Sequence, residues 1–159
     1  MTRPITRRAI ALLSLAVAGL VATGASAQKS AAQQDWEAQQ AAYLAANAKK
    51  PGWKATPSGV QYHLASKATK GAQPKADSQV KVKYIGHTVT DVEFDASDDT
   101  TMGVNEFVKG LREVVPLMHV GETWDFVVPA ELGYGERTRP KIPVMSALIF
   151  KFTLVGIDK

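Results

Sequence analysis

The sequence predicts an α+β domain in which a curved antiparallel sheet wraps around one short helix. Three observations lead to this prediction. After residue 57 much of the chain alternates apolar and polar residues, which is typical of half-buried strands. About five such segments follow one another, with turn residues between them. Only one internal segment, residues 107–118, has apolar residues at helical spacing, and a helix this short needs tertiary packing to form.

The first 27 residues have the features of a secretory signal peptide. Three arginines begin the segment, an apolar run covers residues 9–21, and Ala25 and Ala27 form an A-x-A cleavage motif. The apolar run is shorter than the roughly 20 residues of a membrane span, which argues against a stable membrane anchor. We expect cleavage after Ala27 and a periplasmic or secreted mature protein. The pair Arg7-Arg8 also fits a twin-arginine signal, so the sequence leaves the export route open.

Charge and composition exclude several function classes. Removing the three arginines of the signal from the 19 basic residues leaves 16, against 15 acidic residues, so the mature net charge is +1. No basic stripe remains to suggest a nucleic-acid partner. The chain has no cysteine, which excludes disulfides and a lipid-modified cysteine. The three histidines lie far apart in sequence without a second ligand nearby, and we expect no metal site.

The mature chain begins with a helical extension and linker, residues 28–56. Helix formers dominate residues 35–48, and Asp35 is a plausible N-cap. The cationic, proline and glycine residues at 49–52 end this helix. Its apolar stripe consists of Trp36, Tyr43 and Leu44.

The domain itself is expected over residues 57–159, where strands alternate with polar loops. The loops are predicted at residues 66–78, 95–106 and 130–143, where periodicity is absent. The strands are predicted at residues 60–64, 80–84, 88–94, 122–129 and 147–157.

Few residues of the chain suggest acid–base or nucleophilic chemistry. The sequence has no G-x-S-x-G turn and no glycine-rich nucleotide motif. Asp95 stands out because it follows an apolar strand end, and a buried acid requires a hydrogen-bond partner. Its alternative role is a turn residue of the 95–99 loop. Apolar residues near strand ends form the other candidate set, although each one alone is more often core: Tyr84, Phe94, Val108, Tyr134, Ile142 and Phe150.

Four blocks of the chain, in this order and spacing, resemble the FKBP-type peptidyl-prolyl cis-trans isomerases. The blocks are TPSGVQYHL, VKVKYIGHTVTDVEFDAS, VPLMHVGETWDFVVPAELGYGER and KIPVMSALIFKFTLVGI. The stretch AAYLAANAKKPGWKATPSG is similar to the end of the N-terminal extension in exported bacterial members of the family. The resemblance implies a five- to six-stranded antiparallel sheet half-wrapped around one short helix, with a proline-binding pocket between them.

The resemblance also implies the site residues and the activity. Isomerisation of X-Pro bonds in unfolded or partly folded polypeptides would take place in an apolar pocket, during the folding of exported proteins and without a cofactor. The implied catalytic residues are Tyr84, Asp95 and Tyr134. The implied substrate-binding residues are Phe94, Met102, Phe107, Val108, Leu111, Ile142 and Phe150.

The chain differs from the family mainly at Leu111, where relatives usually have a tryptophan whose indole forms the pocket floor. Leucine gives a smaller floor without a ring face. We therefore expect weaker catalysis and only weak binding of rapamycin-type macrolides. The alternative is a chaperone or partner-binding module with the same fold and little isomerase activity. The basic segment ERTRPK, residues 136–141, suggests a preference for acidic neighbours of proline, and the short extension suggests a monomer or a weak dimer.

Overall fold

The alternating segments form one six-stranded antiparallel sheet in a computed structural model, which describes residues 29–67 and 69–158. The predicted signal peptide, residues 1–27, lies outside the described residues. Among the described residues, two α-helices accompany the sheet: α1 (Ala31–Asn47) and α2 (Lys109–Val114). The strands are β1 (Lys54–Ala55), β2 (Gln61–Leu64), β3 (Gln79–Thr88), β4 (Glu93–Gly103), β5 (Thr123–Val128) and β6 (Leu148–Asp158).

The strand order is β1-β2-β5-β6-β3-β4, and each neighbouring pair is antiparallel. Strand β6 pairs with β5 on one side and β3 on the other, so it lies inside the sheet. Its side chains alternate between the two faces, and one face carries the buried residues Leu148, Phe150, Phe152 and Leu154. These residues pack against α2 and the apolar side chains around it. The predicted fold class is therefore confirmed.

Helix α2 is shorter than the predicted segment 107–118. It ends at Val114, and residues 115–117 continue as a 3₁₀ turn that contains Pro116. Gly110 lets this helix approach the sheet closely, because a Cβ atom there would lie 2.5 Å from Cγ1 of Val128. The buried face of the helix includes Leu111, which forms part of the core.

The strand predicted at residues 88–94 is wrong. Strand β3 continues to Thr88, and the chain then reverses through a turn in which Asp91 has a φ of 61°. The Thr88 carbonyl accepts from the Asp91 N–H at 3.0 Å, which closes the turn. Residues 95–106 were expected as a loop, but β4 continues to Gly103. This strand has only one neighbour and is largely exposed, so its polar composition does not conflict with strand structure.

Helix α1 begins four residues earlier than predicted. Its N-cap is Ser30, whose hydroxyl accepts from the Gln33 N–H at 3.2 Å, and not Asp35. The residues it buries are polar, Gln40 and Asn47, because the helix contacts the domain through hydrogen bonds. The short strand β1, inside the predicted linker, pairs with β2 and extends the sheet by one strand. Neither described helix is long and apolar enough to cross a membrane.

Candidate active site

A small cleft of about 100 Å³ lies between the region around α2 and the concave face of the sheet. It brings together residues from β3, β4, β6, the start of α2 and the loop after β5. Eight of the ten residues predicted from the sequence line it. The lining residues are Tyr84, Asp95, Met102, Glu106, Phe107, Val108, Leu111, Tyr134, Phe150 and Phe152.

Aromatic rings form much of the cleft wall. Phe152 lies parallel to Tyr84, with ring centroids 6.2 Å apart, and meets Phe107 edge-on at 5.5 Å. Leu111, which is only 3% exposed, lines the cleft beside these rings. Phe150 is 5% exposed and contributes another ring. Such a surface can accept a small apolar group and exclude water from it.

At the polar edge of the cleft the hydroxyl of Tyr84 donates to the carboxylate of Asp95, at 2.7 Å from Oδ2. Burial raises the pKa of Tyr84 to about 12, and the hydrogen bond and negative charge of Asp95 act in the same direction. The Tyr84 hydroxyl therefore remains a donor at neutral pH. Asp95 was expected to be buried or in a turn; it is exposed and lies on β4, opposite Gly86. Tyr84 pairs with Ser97, and Asp95 lies two residues before Ser97 on the same strand, so the Asp95 carboxylate is a diagonal cross-strand neighbour of Tyr84.

Two donors at the cleft have no acceptor among the described residues. One is the backbone N–H of Val108, directly before the first residue of α2, and the other is the hydroxyl of Tyr134. The guanidinium of Arg139 lies over the Tyr134 ring, 5.0 Å from its centroid. These two donors can bind carbonyl oxygens of an extended chain in the cleft.

Phe94 and Ile142 were predicted to bind substrate, but neither lines the cleft. Phe94 meets Phe150 edge-on, with centroids 5.6 Å apart, and so supports a ring that does line it. Gly86 leaves room for this pair, because a Cβ there would lie 2.6 Å from Cζ of Phe94. Ile142 is 6% exposed and packs into the core from the loop after Tyr134.

Sequence reasoning missed two lining residues, Glu106 and Phe152. The signal for Phe152 was available, because it shares the inward face of β6 with Phe150. Glu106 has no comparable signal: its carboxylate accepts from the Gly103 N–H at 3.1 Å at a 3₁₀ turn that the sequence does not indicate.

A larger, open depression of about 490 Å³ lies on the outer face of the sheet. It is lined by residues of β3, β4 and β6 together with Thr123 of β5, and Lys83 in its lining is paired with Asp98 at 2.5 Å. It lacks the aromatic wall of the cleft. Within the described ranges, no three His, Asp or Glu side chains are grouped closely enough to hold a metal ion.

The fold is that of peptidyl-prolyl isomerases of known structure. A peptidyl-prolyl cis-trans isomerase from Pseudomonas syringae pv. tomato superposes with a TM-score of 0.75 at 22% identity, covering 83% of this chain and all of that chain. FkpA from Escherichia coli superposes with a TM-score of 0.74 at 30% identity, covering 79% of this chain and 60% of that chain.

Sequence comparison identifies the family. Residues 70–155 match the sequence model described as "FKBP-type peptidyl-prolyl cis-trans isomerase", and the chain belongs to this family. Residues 14–64 match the "Domain amino terminal to FKBP-type peptidyl-prolyl isomerase". This second match overlaps the predicted signal peptide, whose cleavage stays a prediction.

Bacterial relatives are similar over most of the chain. The FKBP-type peptidyl-prolyl cis-trans isomerase FkpA of Aeromonas hydrophila is 40% identical over 86% of this chain and 52% of its own length. The FKBP-type 22 kDa peptidyl-prolyl cis-trans isomerase of Escherichia coli is 37% identical over 72% of this chain and 58% of its own. The outer membrane protein MIP of Legionella longbeachae is 37% identical over 74% of this chain and 52% of its own. The chain thus spans about half the length of these relatives.

Proposed function

We propose that this chain is a peptidyl-prolyl cis-trans isomerase that accelerates X-Pro isomerisation in exported polypeptides as they fold. The observation that carries the proposal is the cleft: an aromatic wall with a fixed tyrosine–aspartate pair and two free hydrogen-bond donors. Membership of an isomerase family and the names of the bacterial relatives support it. An exported location follows from the predicted signal peptide and is part of the proposal.

The chemistry needs no proton transfer. An X-Pro bond prefers trans only slightly, but rotation is slow because the planar amide is stabilised by resonance. In the twisted transition state the carbonyl is less polar than in the planar ground state. An apolar cleft therefore favours the twisted state relative to the planar one, which lowers the barrier. Each tenfold acceleration requires the cleft to stabilise the twisted state by about 1.4 kcal/mol more than the planar state.

Each cleft residue then has a defined role. Phe150, Phe107 and Leu111 bury the proline ring in contact with the wall of the cleft. The Val108 N–H and the Tyr134 hydroxyl hold carbonyl oxygens of the peptide. Tyr84 and Asp95 orient the polar edge of the site. Met102, at the rim, contacts a neighbouring side chain of the peptide. Phe94 and Ile142 support the wall from behind.

The alternative function is a binding module or chaperone with the same fold and little isomerase activity. Leu111 is the specific observation that favours it, because it lines the cleft where relatives usually carry an indole. A smaller floor leaves the proline ring with fewer contacts. The cleft then binds the twisted state only slightly more strongly than the planar state, and the acceleration is smaller. The same argument predicts weak binding of rapamycin-type macrolides.

A prolyl-peptide assay separates the two functions. The chain is expressed in full, and the purified protein is compared with the double variant Asp95→Ala, Phe150→Ala. We expect the wild type to accelerate isomerisation at least tenfold more than the variant, about 1.4 kcal/mol of barrier. Equal rates for the two proteins, with both still folded by circular dichroism, would rule out the enzyme and leave the binding module.

The basic segment near the cleft suggests a substrate preference. Arg139 lies over Tyr134, and Arg137 and Lys141 are exposed close by in sequence. We propose that peptides with glutamate before proline are better substrates than those with lysine there. The preference should fall at high salt, because exposed charges are screened.

A further inference from the structure

Helix α1 is connected to the segment that follows Tyr134 by two side-chain hydrogen bonds. Nε1 of Trp36 donates to the carbonyl of Val144 at 3.1 Å. The N–H of Ala147 donates to Oε1 of Gln40 at 3.1 Å, and Gln40 is only 4% exposed. Together they hold the backbone at two points, one before and one after residues 145–146.

The backbone between these two points is in a conformation that needs support. Met145 has a φ of 57°, in the left-handed region that side-chain-bearing residues rarely adopt. Such a residue persists when the surrounding structure holds it in place. The hydrogen bonds to Val144 and Ala147 supply this support from α1, outside the loop itself.

The same segment is tied to the residues around the cleft. The N–H of Met145 donates to the carbonyl of Gly135 at 2.8 Å, and Gly135 directly follows Tyr134. Ile142 donates its N–H to the Arg139 carbonyl at 3.2 Å, and Arg139 lies over the Tyr134 ring. A shift at Val144–Ala147 would therefore be transmitted to both Tyr134 and Ile142.

We propose that Trp36 and Gln40 are positioning residues for the isomerase site. They hold segment 144–147 and, through it, keep Ile142 and Tyr134 in place beside the cleft. The N-terminal extension thereby contributes to the site without touching the substrate. This inference rests on the proposed function, because it assigns the extension a part in the same reaction.

The chain offers a matched control at the other end of α1. Nδ2 of Asn47 donates to Oε1 of Gln61 on β2 at 2.8 Å, and Asn47 is 2% exposed. This bond also fastens α1 to the domain but does not involve segment 144–147. Asn47→Leu loosens the helix there, whereas Gln40→Met removes the acceptor of Ala147 with little change in side-chain size, and Trp36→Phe removes the indole donor.

The test uses protein purified after expression of the full chain, with methyl-labelled isoleucines and amide hydrogen exchange followed by NMR. In Gln40→Met we expect about tenfold faster exchange of the Ala147 amide. The Ile142 methyl resonance should move in Gln40→Met and Trp36→Phe, while Ile85, on the outer face of β3, should not. Asn47→Leu should leave the Ile142 resonance where it is in the wild type.

Activity on a prolyl peptide is measured on the same samples. We expect kcat/KM to fall about tenfold in Gln40→Met and to stay near the wild-type value in Asn47→Leu. An unmoved Ile142 resonance in Gln40→Met, an equal effect of Asn47→Leu, or a moved resonance with unchanged kcat/KM would each overturn the inference. An inactive wild type would contradict the proposed function alone, because the Ile142 measurement requires no turnover and still decides whether α1 positions this segment.

Discussion

At the scale of single residues, we propose that Leu111 sets how much apolar surface the cleft offers to a proline ring. It is almost fully buried and shares the cleft with Phe107, Phe150 and Phe152. Leucine supplies apolar contact but lacks the flat face and the indole N–H of tryptophan. Because the aromatic rings around it stay in place when Leu111 is replaced, the effect of this one residue can be tested by itself.

Leu111→Trp should raise kcat/KM for a prolyl peptide by about tenfold, because a ring face at the floor increases contact with the twisted proline. The change is measured with the peptide assay on the purified protein. Leu111→Met is the control, since it keeps an apolar floor of similar volume. If the tryptophan variant folds but is no more active than the wild type, the assignment of Leu111 as the floor is wrong.

Tyr84→Phe should lower kcat/KM by about tenfold, because it removes the hydroxyl that donates to Asp95. The ring remains, so its stacking on Phe152 should persist. Tyr62→Phe is a matched control, because the Tyr62 ring stacks on Trp124 away from the cleft. Equal activity of the Tyr84 variant and the wild type would show that the tyrosine–aspartate pair has no part in the reaction.

The pKa of Tyr84, about 12, also predicts how the activity depends on pH. This pKa lies above the ordinary value for tyrosine, so the hydroxyl stays protonated at neutral and mildly alkaline pH. It stops acting as a donor only as pH approaches 12. We expect kcat/KM to show no fall attributable to Tyr84 between about pH 7 and 10. The pH profile of the peptide assay checks this, and a fall that Tyr84→Phe abolishes would contradict it.

At the scale of elements, Glu122 connects the start of β5 to two loops. Its carboxylate accepts from the Thr69 N–H, the His119 N–H and Nε1 of Trp124, at 2.9 to 3.0 Å. Glu122 is 3% exposed. Burial raises its pKa, but the three hydrogen bonds and the neighbouring His119 outweigh burial and bring the pKa below the ordinary value.

A lowered folded-state pKa means that Glu122 stabilises the protein above its unfolded pKa of about 4.3 and loses this effect as pH falls through the folded pKa. Glu122→Gln should therefore lower the free energy of unfolding by about 2 kcal/mol at pH 7. The difference in unfolding free energy between the variant and the wild type should become smaller below about pH 4. Urea unfolding at several pH values measures it. Asp98→Asn, at an 88% exposed side chain, is the control and should change stability little. A difference that stays constant down to pH 3 would contradict the assignment.

The contact between α2 and β5 depends on Gly110, where a Cβ would lie 2.5 Å from Val128 and 3.1 Å from Val60. Gly110→Ala should destabilise the protein by about 2 kcal/mol, although alanine favours helix by about 1 kcal/mol. The cost should be smaller in a Val128→Ala background, where the clashing methyl groups are absent. Urea unfolding of the four proteins checks this, and an alanine variant as stable as the wild type would be inconsistent with the close approach.

The elements also show what could be read from the sequence. Alternation predicted β5 and β6 closely, because both are buried on one face. It did not predict β4, which lies at the sheet edge and has few apolar residues. The apolar stripe of α1 did not indicate that its buried residues are the polar Gln40 and Asn47. Hydrogen bonds between polar side chains and a distant backbone leave no periodic signal in a sequence.

Eight of the ten site residues that the resemblance implies line one cleft, and their roles there stay a prediction. The pattern of β6 contained the signal for a further lining residue, Phe152. The sequence could not separate residues that line the cleft from those that support it, such as Phe94 behind Phe150. That distinction depends on packing across β3, where Gly86 leaves space for the Phe94 ring.

At the scale of the whole molecule, the sheet has two concave surfaces of different character. The cleft beside α2 is aromatic, and the larger depression on the outer face carries Lys83, Lys151 and Thr153. Of these two surfaces, the cleft is the one whose described residues combine a wall of aromatic rings with the unpaired Val108 N–H and Tyr134 hydroxyl. We propose that isomerisation takes place in this cleft.

The most direct test is NMR of a peptide with a cis and a trans X-Pro bond, mixed with a small amount of the purified protein. We expect exchange peaks between the two peptide forms, together with shifts of protein resonances at Val108, Tyr134 and Phe150. Ile85 and Lys151, which line the outer depression, should not shift. Exchange no faster than with the Asp95→Ala, Phe150→Ala variant, or shifts confined to the outer face, would show that isomerisation does not take place in this cleft.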